Sequence, residues 1–382
     1  MIDGRNGQAP LQTIEEINYL RGFGVLAVIA IHTTGYFTVV PYLNRLVVLN
    51  LWTDIISQFA VPLFISISGF VLAKKYRGKF SLLRFYTKRI RGIIPQYVIF
   101  SLLYTIFNKS DLIQSNSLST NIRLVMTSII NSDASYHLWF FAIIIQFYLF
   151  YPIIIKIYDF CKYRGRTELL ITLLLILQTL WMVGMHTPYL SEFKLNLMGF
   201  IFYFGIGIYS LDHYDTLKRH FDRQTPLLFS LAIALTIGAS FFIIIGLLTG
   251  YRYNTIPAYF FIGPELIYPI LRVITFLLLY NLSKSLLAKK SFRAKLVHNI
   301  GIYSFGIYLI HIFFNQSAIK LLKTHNILFD NWRFYPIVYL TTLILSYLSV
   351  RLISFLPFSY FLIGYQVKKT WLGPSLWRRR LP

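Results

Sequence analysis

Cysteine is all but absent from this chain of 382 residues, in which Cys161 stands alone. A single thiol rules out an internal disulfide and any zinc cluster built on cysteines. Acidic residues are scarce as well, 14 Asp and Glu against 37 Lys and Arg, and charged residues of both signs make up only 13% of the sequence. That is about half the share found in an ordinary soluble domain. The first residues, MIDGRNGQAPLQTIEE, lack the basic start and short apolar core of a cleavable signal peptide, so the first hydrophobic run is expected to stay as a membrane span. What abounds is apolar: 56% hydrophobic residues, 34 Phe, 28 Tyr and a mean hydropathy of +0.59. Such a chain cannot remain solvated and disordered; it reads as an all-α, polytopic membrane helix bundle. In that setting the net charge of +23 is a topology signal rather than a nucleic-acid footprint.

A spanning helix needs about 20 mostly apolar residues. Ten candidates lie between the charge clusters, at 17–39, 46–73, 93–108, 137–158, 168–187, 194–211, 226–248, 258–282, 297–321 and 334–365. The third is short, and the last is long enough to tilt, kink or end along the interface. The basic residues test the count. The loop 74–92, segments 156–166, 212–223 and 283–296, and the tail 366–382 hold 25 of the 37 Lys and Arg, and they are every second connection. The positive-inside rule then puts both termini in the cytoplasm of a multi-pass plasma-membrane protein, which requires an even number of spans. No internal repeat or separate soluble domain is visible, so residues 1–382 are expected to form one domain.

Ionisable groups inside a bilayer are costly and carry functional hypotheses by default. Arg21 and His32, on the first span, are eleven residues apart; at about 100° per residue they share one face, about 16 Å apart along the axis. Arg21 can meet an anion near the inner interface while His32 acts deeper as a general base. The plainer alternative has Arg21 snorkelling and His32 bonded to a neighbouring helix. His311, about 21 Å into the ninth span, lies at a depth comparable to His32, so the two could line one cavity. Glu265 and Arg272 are seven residues apart on the eighth span and are expected to form a structural ion pair. Asp54 is a carboxylate available to orient His32. His137 and Trp139 open the fourth span, where Trp139 suits an aromatic belt and His137 can face a substrate. The segment Arg84–Pro95 has more positive charge than orientation requires. It can grip the phosphates of a nucleotide-containing donor or attract anionic lipid headgroups, and it lacks any Walker-type loop or G-x-G-x-x-G.

Five stretches, in order, resemble the acyltransferase-3 family of integral membrane acyltransferases: NYLRGFGVLAVIAIH (18–32), VPLFISISGF (61–70), FYTKRIRGIIPQY (85–97), HLWFFAIIIQFYLFYP (137–152) and GIYSFGIYLIH (301–311). The loop between the second and third spans is similar to that of members in exopolysaccharide systems, such as the poly-N-acetylglucosamine adhesion locus. The resemblance covers essentially the whole chain. It implies transfer of an acyl group, usually acetyl from cytoplasmic acetyl-CoA with succinyl-CoA as an alternative, to a hydroxyl of a surface glycan, a lipid-linked sugar or a small molecule. No metal and no nucleic acid are implied. By position, His32 matches the family's essential histidine and Arg21 its arginine. Lys88, Arg89 and Arg91 fall in the basic motif before Pro95. The family commonly has an arginine where this chain has Gly92, which leaves the individual phosphate contacts open. His32 would act as base or as a transient acyl carrier. His137, Trp139, Glu265, Tyr308 and His311 are the substrate-side candidates, with Tyr308 and Ser304 as candidate oxyanion donors. The alternative function is a transporter or flippase for a lipid-linked glycan or exopolysaccharide.

Overall fold

The computed structural model describes residues 14–366 apart from 116, 188–189, 191–195, 254–258 and 290. The basic tail, beyond residue 366, and the side chains of 218–223, Lys218, Arg219 and Arg223 among them, lie outside the described residues. The chain runs through α1 (Glu16–Thr34), α2 (Arg45–Ser57), α3 (Ala60–Lys75), α4 (Leu82–Asn108), α5 (Ser110–Ser115), α6 (Leu118–Asn131), α7 (Trp139–Tyr163) and α8 (Thr167–Gly184). It continues through α9 (Ile201–Asp212), α10 (Tyr214–Tyr253), α11 (Tyr259–Lys289), α12 (Phe292–Ile302), α13 (Ser304–Thr324), α14 (Phe334–Ile353) and α15 (Ser359–Ile363). No strand occurs among the described residues, so the molecule is an all-α, multi-pass membrane bundle. Among the described residues nine helices are long and apolar enough to cross a membrane, and Leu197–Asp212 is a shorter apolar helix at the place of the sixth expected span.

Local chemistry explains where the helices depart from the hydropathy reading. The second span bends at Gln58–Phe59, and α3 restarts with Pro62 in its first turn, where a missing N–H costs no intrahelical bond. Ser81 caps α4 by accepting from the amide of Arg84 at 3.4 Å. The helix therefore begins eleven residues before the apolar run, and the expected basic loop 74–92 shrinks to 76–81. Arg84, Lys88, Arg89 and Arg91 sit on the first turns of a 27-residue helix that passes through Pro95 unbroken. The ninth span is two helices that meet at Tyr303. The last ends at Ile353, and the chain turns after Pro357 with Phe358 in the left-handed region (φ 66°) before α15.

Outward faces are apolar, as lipid demands: Leu169, Leu173 and Leu180 on α8 and Leu340, Ile344 and Leu348 on α14 are all exposed. One end of the bundle gathers the charges. Arg77 donates to Asp159 and Asp212, and Lys162 reaches Asp212 at 2.9 Å, tying the ends of α3, α7 and α9 together. The first helix is central. It packs against α2, α3, α11, α12, α13 and α14. Close approach needs small residues, as in other membrane helix pairs: a Cβ on Gly301 would lie 1.7 Å from the carbonyl oxygen of Asn18, and one on Gly22 would lie 2.4 Å from that of Val297. Backbone cannot yield as a flexible side chain can. Gly301→Leu is therefore expected to cost at least about 3 kcal/mol, the upper end of ordinary overpacking. The check is a lowered melting temperature of the detergent-purified protein relative to wild type.

Candidate active site

The face of α1 that carries Arg21 and His32 turns inward. Arg21 opens onto a cavity of about 460 Å³, within the usual range for small-molecule sites (about 300–1,000 Å³). Its polar lining includes Arg21, Ser68, Lys88, Arg89, Tyr148 and Ser304, and no Asp or Glu contributes to it. Arg21 makes no hydrogen bond or ion pair with any described side chain. Arg89 donates to the hydroxyl of Tyr76 at 3.2 Å and lies between the rings of Tyr76 and Tyr148, 5.2 and 5.3 Å from their centroids. Its Nε is buried with no acceptor. Cationic groups with donors unspent, facing one cavity, have the chemistry to hold an anion.

Helical rotation sorts the basic motif of α4. Lys88, Arg89, Gly92 and Ile93 face the cavity, whereas Arg91 faces a separate groove with Arg84, Thr87, Tyr360 and Phe361. Lys88 borders both. Gly92, where the family pattern has arginine, sits in the middle of the cavity-facing stripe, and the Tyr360 hydroxyl lies 3.7 Å from the place its Cβ would take. The positive charge is thus delivered from the flanking positions 88 and 89. The C-terminal α15 closes the cavity's edge, held by Gln96, which donates to the carbonyl of Tyr360 at 2.8 Å.

Beyond the cavity lies a cluster of three histidines. The His32 and His311 rings are 5.2 Å apart, and so are those of His137 and His311. The depth match read from the sequence is thus a contact. His311 Nδ1 is 2.7 Å from the carbonyl oxygen of Tyr308. A carbonyl only accepts, so Nδ1 carries the proton and the buried, unpartnered Nε2 keeps a lone pair. His137 Nδ1 meets the Ser135 hydroxyl at 3.0 Å, and its Nε2 is buried without a partner. His32 itself makes no hydrogen bond to the described residues. Its ring lies edge-on to that of Tyr136, 5.0 Å away, and Tyr136 is 46% exposed. Among the described residues no group of three His, Cys, Asp or Glu is arranged to hold a metal ion.

Other candidates lie elsewhere. Glu265 and Arg272 do not form the expected ion pair. The Glu265 carboxylate is 3.8 Å from His186, while Arg272 stacks 4.5 Å over the Tyr268 ring and donates to the Tyr203 hydroxyl at 3.3 Å. His186 in the turn after α8 and Tyr203 on α9 compete for these groups, which sequence spacing along one helix cannot show. Neither lines the cavity. Asp54 accepts from Gln58 at 3.1 Å rather than orienting His32. Trp139 stacks on Phe200, with centroids 5.8 Å apart, and packs in a separate core. The Tyr308 hydroxyl is already spent, donating to the carbonyl of His137. Tyr136, Tyr148 and Tyr104, whose ring lies 5.0 Å from that of His137, also belong to the site, and the sequence does not single them out. The position of Tyr136 beside His137 was the available signal for it, and the other two are single tyrosines among 28.

Residues 14–351 match the profile of a family described as an acyltransferase domain. The chain is 24% identical over 272 residues to a probable poly-beta-1,6-N-acetyl-D-glucosamine export protein of Staphylococcus aureus strain N315, a stretch covering 69% of this chain and 71% of that protein. The protein of the same description from strain MRSA252 is 24% identical over 307 residues, 78% of this chain and 81% of its own length. A 130-residue stretch is 33% identical to an amino-acid racemase of Enterococcus faecalis, covering 33% of this chain and 17% of that protein. No solved structure matches the chain.

Proposed function

Because this chain belongs to the acyltransferase-3 family, with the family's domain spanning residues 14–351, we propose that it is a membrane O-acyltransferase using acetyl-CoA, with succinyl-CoA as the alternative donor. The acceptor is a hydroxyl of a glycan or lipid-linked sugar, in keeping with the polysaccharide named for its staphylococcal relatives. The observation that carries the reading is the pairing of two features on one helix. An anion-binding cavity without a single carboxylate opens at Arg21, and a histidine cluster begins at His32 just past its far end.

The basic end of the bundle faces the cytoplasm in this reading, so Arg21, Lys88 and Arg89 hold the donor's phosphates from that side. The thioester arm then points along α1 toward His32. His32 takes the proton from the acceptor hydroxyl as its oxygen attacks the thioester carbon. The carbon–sulfur bond breaks, and the proton passes from the imidazolium to the departing thiolate. Alternatively, His32 accepts the acyl group itself before passing it to the hydroxyl. His311, its Nδ1 fixed by a carbonyl, flanks His32 and orients its ring. The low-dielectric setting strengthens every hydrogen bond to the developing oxyanion.

The second reading, export of a glycan, rests on the printed description of those same relatives. A transport path would have to pass the apolar end of the cavity at Val28, Phe140 and Phe141. Purified protein given labelled acetyl-CoA and a hydroxyl-bearing oligosaccharide separates the two. Release of CoA with labelled glycan supports transferase. Glycan movement across vesicles without donor consumption supports export and sinks the present proposal.

Side-chain direction gives a finer check. Lys88→Ala and Arg89→Ala should each weaken acetyl-CoA binding about 10-fold or more, a charge-assisted contact contributing about 1.5–3 kcal/mol. Arg91→Ala, facing the other groove, should change it less than about 3-fold, within the 0–1 kcal/mol of an exposed charge. Equal losses at all three positions, read by titration of the detergent-solubilised protein, would remove the cavity from the donor assignment.

A further inference from the structure

The cavity and the histidine cluster stop one turn apart on two helices. On α1 the lining includes Arg21 and Val28 but not His32; on α13 it includes Ser304, Phe305 and Tyr308 but not His311. One turn is about 5.4 Å. On α7 the lining begins at Phe140, just past His137. Tyr308 fills the gap. On the cavity side its ring meets Phe140 and Phe141 at centroid distances of 5.6 and 6.0 Å; on the other side it meets His137 at 5.3 Å and His311 at 5.9 Å. The Tyr308 hydroxyl is latched to the carbonyl of His137 in the turn that leads into α7, and its own carbonyl accepts from His311. One side chain therefore touches both compartments and bridges α13 to α7.

We propose that Tyr308 is a gate, a positioning residue whose ring separates the donor cavity from the histidine cluster until the acyl arm displaces it. The proposal rests on the acyl-transfer reading above and adds what keeps that reaction from being wasted. His32 lies beside the half-exposed Tyr136, so water can approach the cluster from that side. With the passage open and no acceptor present, water would replace the hydroxyl. Its oxygen would bond to the acyl carbon, its proton would go to His32, and the carbon–sulfur bond would break to give a carboxylic acid and the free thiol. A latched tyrosine prevents this until the arm itself supplies the contacts that displace the ring, a form of gating seen generally in enzymes that exclude water.

Two variants separate the ring from the latch: Tyr308→Phe keeps the wall and loses the hydroxyl, whereas Tyr308→Ala removes both. In proteoliposomes supplied with labelled acetyl-CoA, the ratio of acceptor-independent CoA release to acyl transfer should rise at least 10-fold in Tyr308→Ala and by a smaller factor in Tyr308→Phe. Equal proportional losses of both activities would mean a structural residue and overturn the gate. A second readout needs no chemistry. In a Cys161→Ser background, the thiol introduced by His32→Cys should resist an impermeant maleimide added at the basic end. It should react at least 10-fold faster once Tyr308→Ala is added. Unchanged labelling in that monodisperse variant also overturns the gate. Gated labelling in a protein that never turns over acyl-CoA would leave the gate standing and sink the acyl-transfer reading. Should Tyr308→Ala fail to purify, Tyr308→Leu carries the same two expectations.

Discussion

Replacing His32 by alanine is expected to lower acyl transfer by about 10²–10⁴-fold, the usual contribution of a positioned acid–base group, while leaving acetyl-CoA binding within about 2-fold of wild type. The separation follows from geometry. His32 is not among the residues lining the cavity, and its contacts are the rings of Tyr136 and His311. In the proposed function, donor binding falls to Arg21, Lys88 and Arg89, and chemistry to a histidine one turn beyond the cavity's end. His311→Ala should be milder because that ring orients its neighbour without touching the acceptor. Initial rates with labelled donor, together with binding isotherms, provide the check. Loss of binding in parallel with loss of rate would place His32 in the donor site and undo the division of labour.

Arg21→Gln should have the opposite signature, weakening donor binding by about 2–5 kcal/mol, or about 30- to 5,000-fold. No carboxylate lines the cavity, and no described acidic side chain pairs with this guanidinium. A buried charge without a partner is a liability for the empty protein and an asset only when an anion arrives. The melting temperature of the unliganded variant should therefore not fall, while the rise expected on adding acetyl-CoA to the wild type should be absent from the variant. Arg21→Lys keeps the charge but loses the planar fork, and should recover part of the binding. A large drop in unliganded melting temperature would make Arg21 a structural residue instead.

What the sequence made legible was whatever repeats with the helix or marks its ends. The long apolar crossings, the shared face of Arg21 and His32, and the matching depths of His32 and His311 all follow from 1.5 Å and about 100° per residue. The charge clusters fixed the ends, and the ion-paired cluster of Arg77, Asp159, Lys162 and Asp212 shows alternate connections meeting at one end. Azimuth between helices was not legible. Glu265 and Arg272 share a face, yet the turn after α8 supplies His186 and helix α9 supplies Tyr203 as partners, and nothing along α11 reveals them. The same limit hid the split within the basic motif, where Lys88 and Arg89 turn to the cavity and Arg91 away from it. It also concealed that Tyr308 is occupied. Its partner is a backbone carbonyl 171 residues distant, and carbonyls carry no signature in a sequence.

The central place of α1 also has a consequence for how the protein is made. Its start is joined to α12 through Asn18 and His298, 280 residues apart, with Gly22 and Gly301 allowing the backbones to meet. At about 5–20 residues per second, a ribosome needs roughly 15–60 s to cover that interval. The helix bearing Arg21 enters the membrane long before α12, α13 and α14 and must wait for them. During that wait its arginine faces the insertion machinery or lipid, with the cavity that will shelter it not yet built. Wild-type biogenesis should therefore lean on factors that shield polar membrane segments. A nascent chain arrested before α12 would have its arginine and first histidine in the bilayer and no site to put them in.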